Sequence, residues 1–316
     1  MKGLWLEAGQ FSYRDDLPMP QAREGELLIR TLCSGICGTD LELQRGYYDF
    51  SGIAGHEFVG EVISDGELAG QRIVADINIG CGRCSFCVRG LNNHCPTRKV
   101  IGIKGHAGAF AEFLTVPERN VFRIPDSLSN HQAVLVEPVA AALEILEQVP
   151  VDKQSHVLII GAGRLGTLIA NVLASAGLEV EIQVRNPLRL KYFENPSIKA
   201  IENFKHSHYP LVIECTGQPS GFSSALQAVM PRGTIVMKST YASELNLDAS
   251  YVVVNEISLM GSRCGPTDKA IQWMQENNTE WLEMSTHRFE EVDLAFEQAK
   301  DPSIYKVLFS NEESTD

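Results

Sequence analysis

Four cysteines fall within fifteen residues, Cys81, Cys84, Cys87 and Cys95, in the spacing Cys-x2-Cys-x2-Cys-x7-Cys. Four thiolates close a tetrahedron around Zn²⁺, and two-residue gaps let one loop wrap the ion. Between them lie Gly82, Arg83, Gly90, Asn92 and Asn93, small or polar residues suited to the turns of such a loop. A four-thiolate site has no open coordination position, so its metal is structural. Two disulfides are the alternative. The chain begins Met1-Lys2-Gly3-Leu4-Trp5, without a targeting pattern. The expected compartment is therefore the reducing cytosol, where thiolates persist.

A second set of residues offers an open metal. Cys37-Gly38-Thr39-Asp40 sits in a Gly-containing turn after an apolar run, Gly55-His56-Glu57 follows, and Glu137 stands in Leu135-Val136-Glu137-Pro138. Thiolate, imidazole and carboxylate make three zinc ligands and leave the fourth position free. Zinc with a free position is a Lewis acid that lowers the pKa of a bound hydroxyl or polarises a carbonyl. Taken singly each residue is ambiguous, because a lone histidine is usually a satisfied core residue. Cys33, Cys215 and Cys264 read as small buried hydrophobes.

The third constellation is Gly161-Ala162-Gly163-Arg164-Leu165-Gly166, which follows the apolar strand His156–Ile160 and opens an Ala- and Leu-rich helix to Ser175. In that context the glycines make a dinucleotide loop. Gly161 gives the tight turn, Gly163 lets the backbone approach a pyrophosphate, and Gly166 lets the helix lie close to the strand. The helix N-terminus offers N–H groups to the phosphates. An acidic residue is then expected at the end of the next strand to bind the ribose hydroxyls of NAD. Val184 stands there instead, followed by Arg185. A guanidinium attracts a 2′-phosphate that a carboxylate repels, so NADP(H) is favoured over NAD(H). Glu179 or Glu181 could serve the ribose only in a shifted register, and Asn186-Pro187 fixes the alignment against it.

The elements that must position these groups follow from the pattern. With 316 residues, 44% of them hydrophobic and 21% charged, the chain has material for two cores. Its 27 Lys and Arg against 40 Asp and Glu give a net charge of −13. Such a chain is a poor partner for nucleic acid or an anionic membrane, and no apolar run reaches bilayer length. In the first third, residues 26–32, 58–63 and 71–77 read as short strands of an antiparallel, barrel-like domain, with the lobe 81–95 on its surface. Residues 131–147 read as helical, with Pro138 starting the main helix. After the dinucleotide loop, strands at 179–184, 211–215, 234–237 and 257–260 with helix signals between them predict a doubly wound parallel sheet. Helices from Pro266 to Gln275 and over 290–300 come next, and the terminal strand 305–309 returns to the first domain. The expected domains are 1–126 with 266–316, and 127–265.

Taken together, GICGTD (35–40), GHEFVGEV (55–62), CGRCSFCVRGLNNHC (81–95), LVEPVAAAL (135–143), GAGRLG (161–166) and ECTG (214–217) resemble the zinc-containing medium-chain dehydrogenase/reductase family. The resemblance implies an α/β fold, a Rossmann sheet plus a GroES-like β-barrel catalytic domain. It implies two zinc ions per chain. Cys37, His56 and Glu137 match the catalytic ligands, and Glu57 matches a second carboxylate that can approach the metal. Cys81, Cys84, Cys87 and Cys95 match the structural lobe. Thr39 matches the hydroxyl that relays the proton. Gly161, Gly163, Arg164, Leu165, Gly166, Arg185 and Thr216 match the coenzyme contacts. A glutamate as third ligand is similar to the polyol and sugar enzymes. The sequence departs from many relatives at Asp40-Leu41-Glu42-Leu43, where their proton-carrying histidine is absent, and it is shortened between Ile63 and Gln71. The implied activity is hydride transfer between a hydroxyl carbon, or the corresponding carbonyl, and NAD(P). An NADPH-dependent aldehyde reductase is the same chemistry reversed. A non-catalytic zinc- or nucleotide-sensing protein would be expected to lose a catalytic ligand, and a zinc-free quinone reductase would lack both metal sites. The expected partners are a small-molecule substrate and a second or further copies of the chain, as a homodimer or homotetramer.

Overall fold

The computed structural model describes residues 1–46, 49–150, 156–193, 195–241, 244–280 and 282–310. The chain divides into two units, one of residues 1–137 with those from Thr267 onward, the other Pro138–Pro266. Residues 127–137 thus lie in the first unit rather than the second. Arg72 ties them there, its Nη1 donating to Asn130 Oδ1 at 2.9 Å and its Nη2 to the Pro125 and Leu128 carbonyls at 3.1 and 2.9 Å. Pro138 stands inside the first turn of the helix Val136–Gln148, where its missing N–H removes no helical hydrogen bond.

The first unit is organised by the long strand Glu26–Gly35, buried along its last five residues. It pairs antiparallel with Glu57–Val62, Phe113–Pro117 and Lys306–Ser310 in a seven-stranded sheet. Its register places Gly35 opposite both Glu57 and Leu308. Strand pairing therefore brings Cys37, His56 and Lys306 to one end of the sheet. Phe11, Phe110, Phe289, Phe296 and Phe309 fill the core beside it, with Phe11 and Phe296 stacked at 4.4 Å.

The second unit is a six-stranded parallel sheet ordered Ile198–Ile201, Glu179–Gln183, His156–Ile160, Tyr209–Glu214, Val229–Met237, Ser258–Gly261. In chain order this is 3-2-1-4-5-6, the doubly wound arrangement that binds ligands where the order reverses. The strand His156–Ile160 is buried from its second residue onward, as parallel strands covered on both faces are. The strand Ile198–Ile201 was not read from the sequence; it is four residues long with only its first buried, too brief for a period to show. Tyr251–Val254 belongs to the helix Ala249–Val254, started by Asp248 accepting from Tyr251 N at 3.1 Å. No helix among the described residues is long and apolar enough to cross a membrane.

Candidate functional site

Cys37 is the residue before the helix Gly38–Gln44, and its N–H donates to Asp40 Oδ2 at 2.8 Å. The turn thereby aims the Cys37 sulfur and the Asp40 carboxylate toward His56. Ligand atoms of Cys37, His56 and Glu57 lie within 4.8 Å of one another. His56 is 4% exposed, Glu57 1% and Asp40 0%. Burial lowers the His56 pKa, but the Asp40 carboxylate and the Cys37 sulfur outweigh it and hold His56 well above its ordinary value, with Glu137 adding to the effect. Burial raises the Asp40 carboxyl, against the pull of His56. The convergence of these groups in a buried pocket makes a candidate cation site. Thiolate, imidazole and carboxylate suit zinc. His56 Nδ1 faces Asp40 Oδ1 at 3.7 Å, outside hydrogen-bond distance, so Asp40 acts on the imidazole through its charge.

Glu137 stands half-buried in the first turn of Val136–Gln148 and acts on His56 by its charge, outside the 4.8 Å set. Thr39 Oγ1 lies 3.8 Å from Cys37 Sγ. Glu57 has a partner that the sequence reading missed: Lys306 Nζ forms an ion pair with Glu57 Oε2, and both side chains are under 5% exposed. Gly35 makes room for this pair, since a Cβ there would come within 2.8 Å of Lys306 Cε. Asp40 was missed as well, although it stands in the quoted GICGTD stretch.

The sulfurs of Cys81, Cys84, Cys87 and Cys95 also lie within 4.8 Å of one another. Cys81 N donates to Cys95 Sγ at 3.4 Å and Cys87 N to Cys84 Sγ at 3.5 Å. Donation from the Cys81 N–H, with Thr97 assisting, lowers Cys95 to about 6, whereas burial raises Cys87 to about 11. N–H groups aimed at sulfur suit thiolates, which is the state a zinc ligand needs. Arg119 Nη2 anchors the lobe through Gly80 O at 2.7 Å.

In the second unit Gly161 adopts φ +109°, and a Cβ on Gly166 would come within 1.9 Å of Gly161 O. Both positions require glycine. Arg164 and Leu165 open the helix Arg164–Ser175, half-buried. Thr216 lies against Gly161 at the switch point. Its hydroxyl donates to Glu214 and accepts from Gln218 N at 3.1 Å, so it shapes the turn from within. Arg185 is exposed just past the second strand, after buried Val184. Glu179 is the first residue of that strand, at the opposite end, and pairs with His156. Glu181 lies mid-strand, engaged by Lys199 at 2.8 Å and by the Tyr209 hydroxyl. Neither glutamate stands at the carboxyl end where a coenzyme ribose would be read.

Comparison with known proteins agrees with this architecture. Residues 23–126 match the alcohol dehydrogenase GroES-like domain and residues 165–278 the zinc-binding dehydrogenase model. An uncharacterized zinc-type alcohol dehydrogenase-like protein of Haemophilus influenzae is 28% identical over 318 residues, 92% of this chain and 93% of its own. Sorbitol dehydrogenase of Bacillus subtilis is 26% identical over 94% of this chain and 91% of its own. The structure of the short chain alcohol dehydrogenase rspB of Escherichia coli CFT073, solved with NADH, superposes with a TM-score of 0.87 at 28% identity, covering 98% of this chain and 99% of that one. The chain belongs to the zinc-containing medium-chain dehydrogenase/reductase family. It is a zinc-type, NAD(P)-dependent oxidoreductase of the alcohol and polyol dehydrogenase class.

Proposed function

We propose that this enzyme exchanges a hydride between the hydroxyl carbon of a polyol, sugar or simpler alcohol and NADP(H), in the cytoplasm. The buried cluster of Cys37, His56 and Glu57 carries the reading. Cys37, His56 and Glu137 would hold a zinc ion, whose Lewis acidity stabilises an alkoxide-like transition state. Asp40 faces the Nδ1 side of the His56 ring at 3.7 Å, a charge contact beyond hydrogen-bond distance. Glu57 is neutralised by Lys306, and Glu137, whose charge acts on His56, would be the carboxylate that balances the metal. Thr39 takes the proton from the substrate hydroxyl. The resemblance to sorbitol dehydrogenase supports a polyol or sugar substrate. The test is a screen of alcohols, polyols and sugars, and of their carbonyl products, with both coenzymes, followed by the absorbance of the reduced nicotinamide. No turnover of any hydroxyl or carbonyl substrate by the zinc-loaded protein would refute the reading.

Two zinc ions per chain are expected by metal analysis, the second held by Cys81, Cys84, Cys87 and Cys95. Cys84→Ser is expected to lower stability strongly, because a structural zinc contributes folding free energy. A fully stable Cys84→Ser protein would remove that role.

Arg185 supports the choice of NADP(H). A well-formed guanidinium–phosphate contact contributes about 1.5–3 kcal/mol, roughly tenfold to a hundredfold in affinity. Arg185→Ala is expected to raise the KM for NADPH by such a factor and to leave that for NADH unchanged. Equal or better efficiency with NADH in the wild type, unaltered by the substitution, would sink the choice.

The chain is proposed to self-associate through the strand Ser258–Gly261, the edge of the parallel sheet among the described residues, with the exposed Leu259 on it and Val253 and Val254, 74% and 80% exposed, in the helix that precedes it. Such edges are normally paired or covered. Light scattering at micromolar concentration is expected to give a dimer or tetramer mass; a monomer mass removes the proposal.

A further inference from the structure

We infer that Arg189 is a positioning residue for the coenzyme pyrophosphate: it locks the loop Gly161-Ala162-Gly163 so that its peptide N–H groups face the phosphates. The inference rests on the dinucleotide reading of that loop and is independent of the choice between NAD and NADP. Arg189 lies in the 3-10 helix Pro187–Tyr192 after the second strand. It is 5% exposed, whereas Arg185 is open to solvent. Its Nε donates to the Ala162 carbonyl at 2.9 Å. Its Nη2 approaches Thr167 Oγ1 at 3.5 Å, and that hydroxyl donates its own proton to the Gly163 carbonyl at 2.8 Å. One guanidinium thus reaches two successive carbonyls of the loop, one directly and one through Thr167. The guanidinium is held in place by Tyr192, whose ring centroid lies 4.8 Å from Arg189 Cζ.

Peptide geometry turns this into a statement about ligand binding. A trans peptide carries its C=O and N–H on opposite sides. With the Ala162 carbonyl turned to Arg189, the Gly163 N–H points away from it. With the Gly163 carbonyl turned toward Thr167, the Arg164 N–H points out of the helix N-terminus. A pyrophosphate seated on this turn meets those N–H groups. The Gly163 carbonyl also accepts from Thr167 N at 2.9 Å, so the side chain of Arg189 matters most for the Ala162 carbonyl, which it holds directly. Gly161 and Gly163 are conformationally permissive, and Gly163, as the helix cap, provides no side-chain hydrogen bond. Arg189 orders the loop before the ligand arrives, which removes that ordering cost from binding.

The test compares equilibrium binding of ADP-ribose, NADPH, NADH and adenosine to the zinc-loaded wild type, Arg189→Gln, Arg189→Lys, Thr167→Val and Arg185→Ala, by calorimetry. Arg189→Gln is expected to weaken the three pyrophosphate ligands alike, by roughly tenfold or more, and adenosine by less than about twofold. Arg189→Lys should recover part of the loss. Thr167→Val keeps the guanidinium and cuts its path to Gly163, and should weaken the same three ligands by about threefold. Arg185→Ala should weaken NADPH alone. ADP-ribose affinity at the wild-type level in folded Arg189→Gln overturns the inference. An equal loss for adenosine also overturns it, because Arg189 would then be an adenine or general fold contact. Should Arg189→Gln fail to fold, unchanged ADP-ribose binding in Thr167→Val overturns it. A wild type that does not bind ADP-ribose overturns the dinucleotide reading, and the inference with it.

Discussion

Glu137→Ala is expected to lower kcat/KM about a thousandfold, equivalent to roughly 4 kcal/mol of transition-state stabilisation, while coenzyme binding stays at its wild-type level. The argument is one of charge. The buried pocket around His56 contains the carboxylates Asp40 and Glu57, and Glu137 acts on it from the adjacent helix. Asp40 is directed at His56 and at the Cys37 N–H. Glu57 is matched by Lys306. A divalent ion bound by the Cys37 thiolate would keep one positive charge, and the charge of Glu137, which acts on His56, would offset it. Without Glu137 the ion would be held more weakly, and its effect on the substrate hydroxyl would change. Cys37→Ser should give a loss of the same order, and Glu57→Gln a smaller one, about tenfold to a hundredfold, as for a residue behind the ligands. Kinetics, zinc content and coenzyme titration on the three variants check this. Wild-type turnover in Glu137→Ala together with an inactive Glu57→Gln would move the third ligand to Glu57, which the structure places nearer to Cys37 and His56.

Cys37 and His56 were grouped in the sequence by their ligand chemistry and by the family resemblance of their motifs; the pairing that sets Gly35 opposite Glu57, and so brings them together, is seen only in the structure. The cysteine lobe was legible because its ligands are local: they lie on one short loop and need no tertiary information. The parallel sheet could be read from its continuous apolar strands, except for the short edge strand Ile198–Ile201. The apolar, β-branched run Val252 to Val254 has the composition of a strand, yet Asp248 caps it into a helix that leaves Val253 and Val254 exposed. Tertiary context overrode propensity there. Lys306 and Arg189 were illegible for a common reason. Each is a long cation that reads as surface in the sequence and is buried by a partner distant along the chain, Glu57 in one case and the Ala162 carbonyl in the other. One signal was available for Lys306. It interrupts Tyr305–Phe309, an otherwise apolar run with both neighbours, Tyr305 and Val307, fully buried.

Lys306→Met is expected to destabilise the first unit by about 3–5 kcal/mol, the cost of leaving the partner carboxylate buried without its counter-charge. Lys306 is 3% exposed and Glu57 1%, so solvent does little to screen the pair, unlike the surface bridge of Arg14 and Asp16. At roughly 2–4 °C per kcal/mol for a unit of this size, the apo-protein midpoint should fall by about 10 °C. The double variant Lys306→Met/Glu57→Gln removes both charges and should recover most of the loss, since an apolar or neutral replacement of a buried pair is often tolerated. Glu57→Gln alone leaves the ammonium unpaired and should be destabilising as well. The three variants and the wild type form a double-mutant cycle whose coupling energy isolates the pair. Calorimetry on the metal-free protein is the suitable measurement, because it separates the ion pair from zinc binding at the neighbouring Cys37 and His56. Additive effects in that cycle would show that Lys306 acts through its packing under Gly35 and not through Glu57. A coupling of several kcal/mol would establish that the chain holds Glu57 by the charge of Lys306 before any metal is bound.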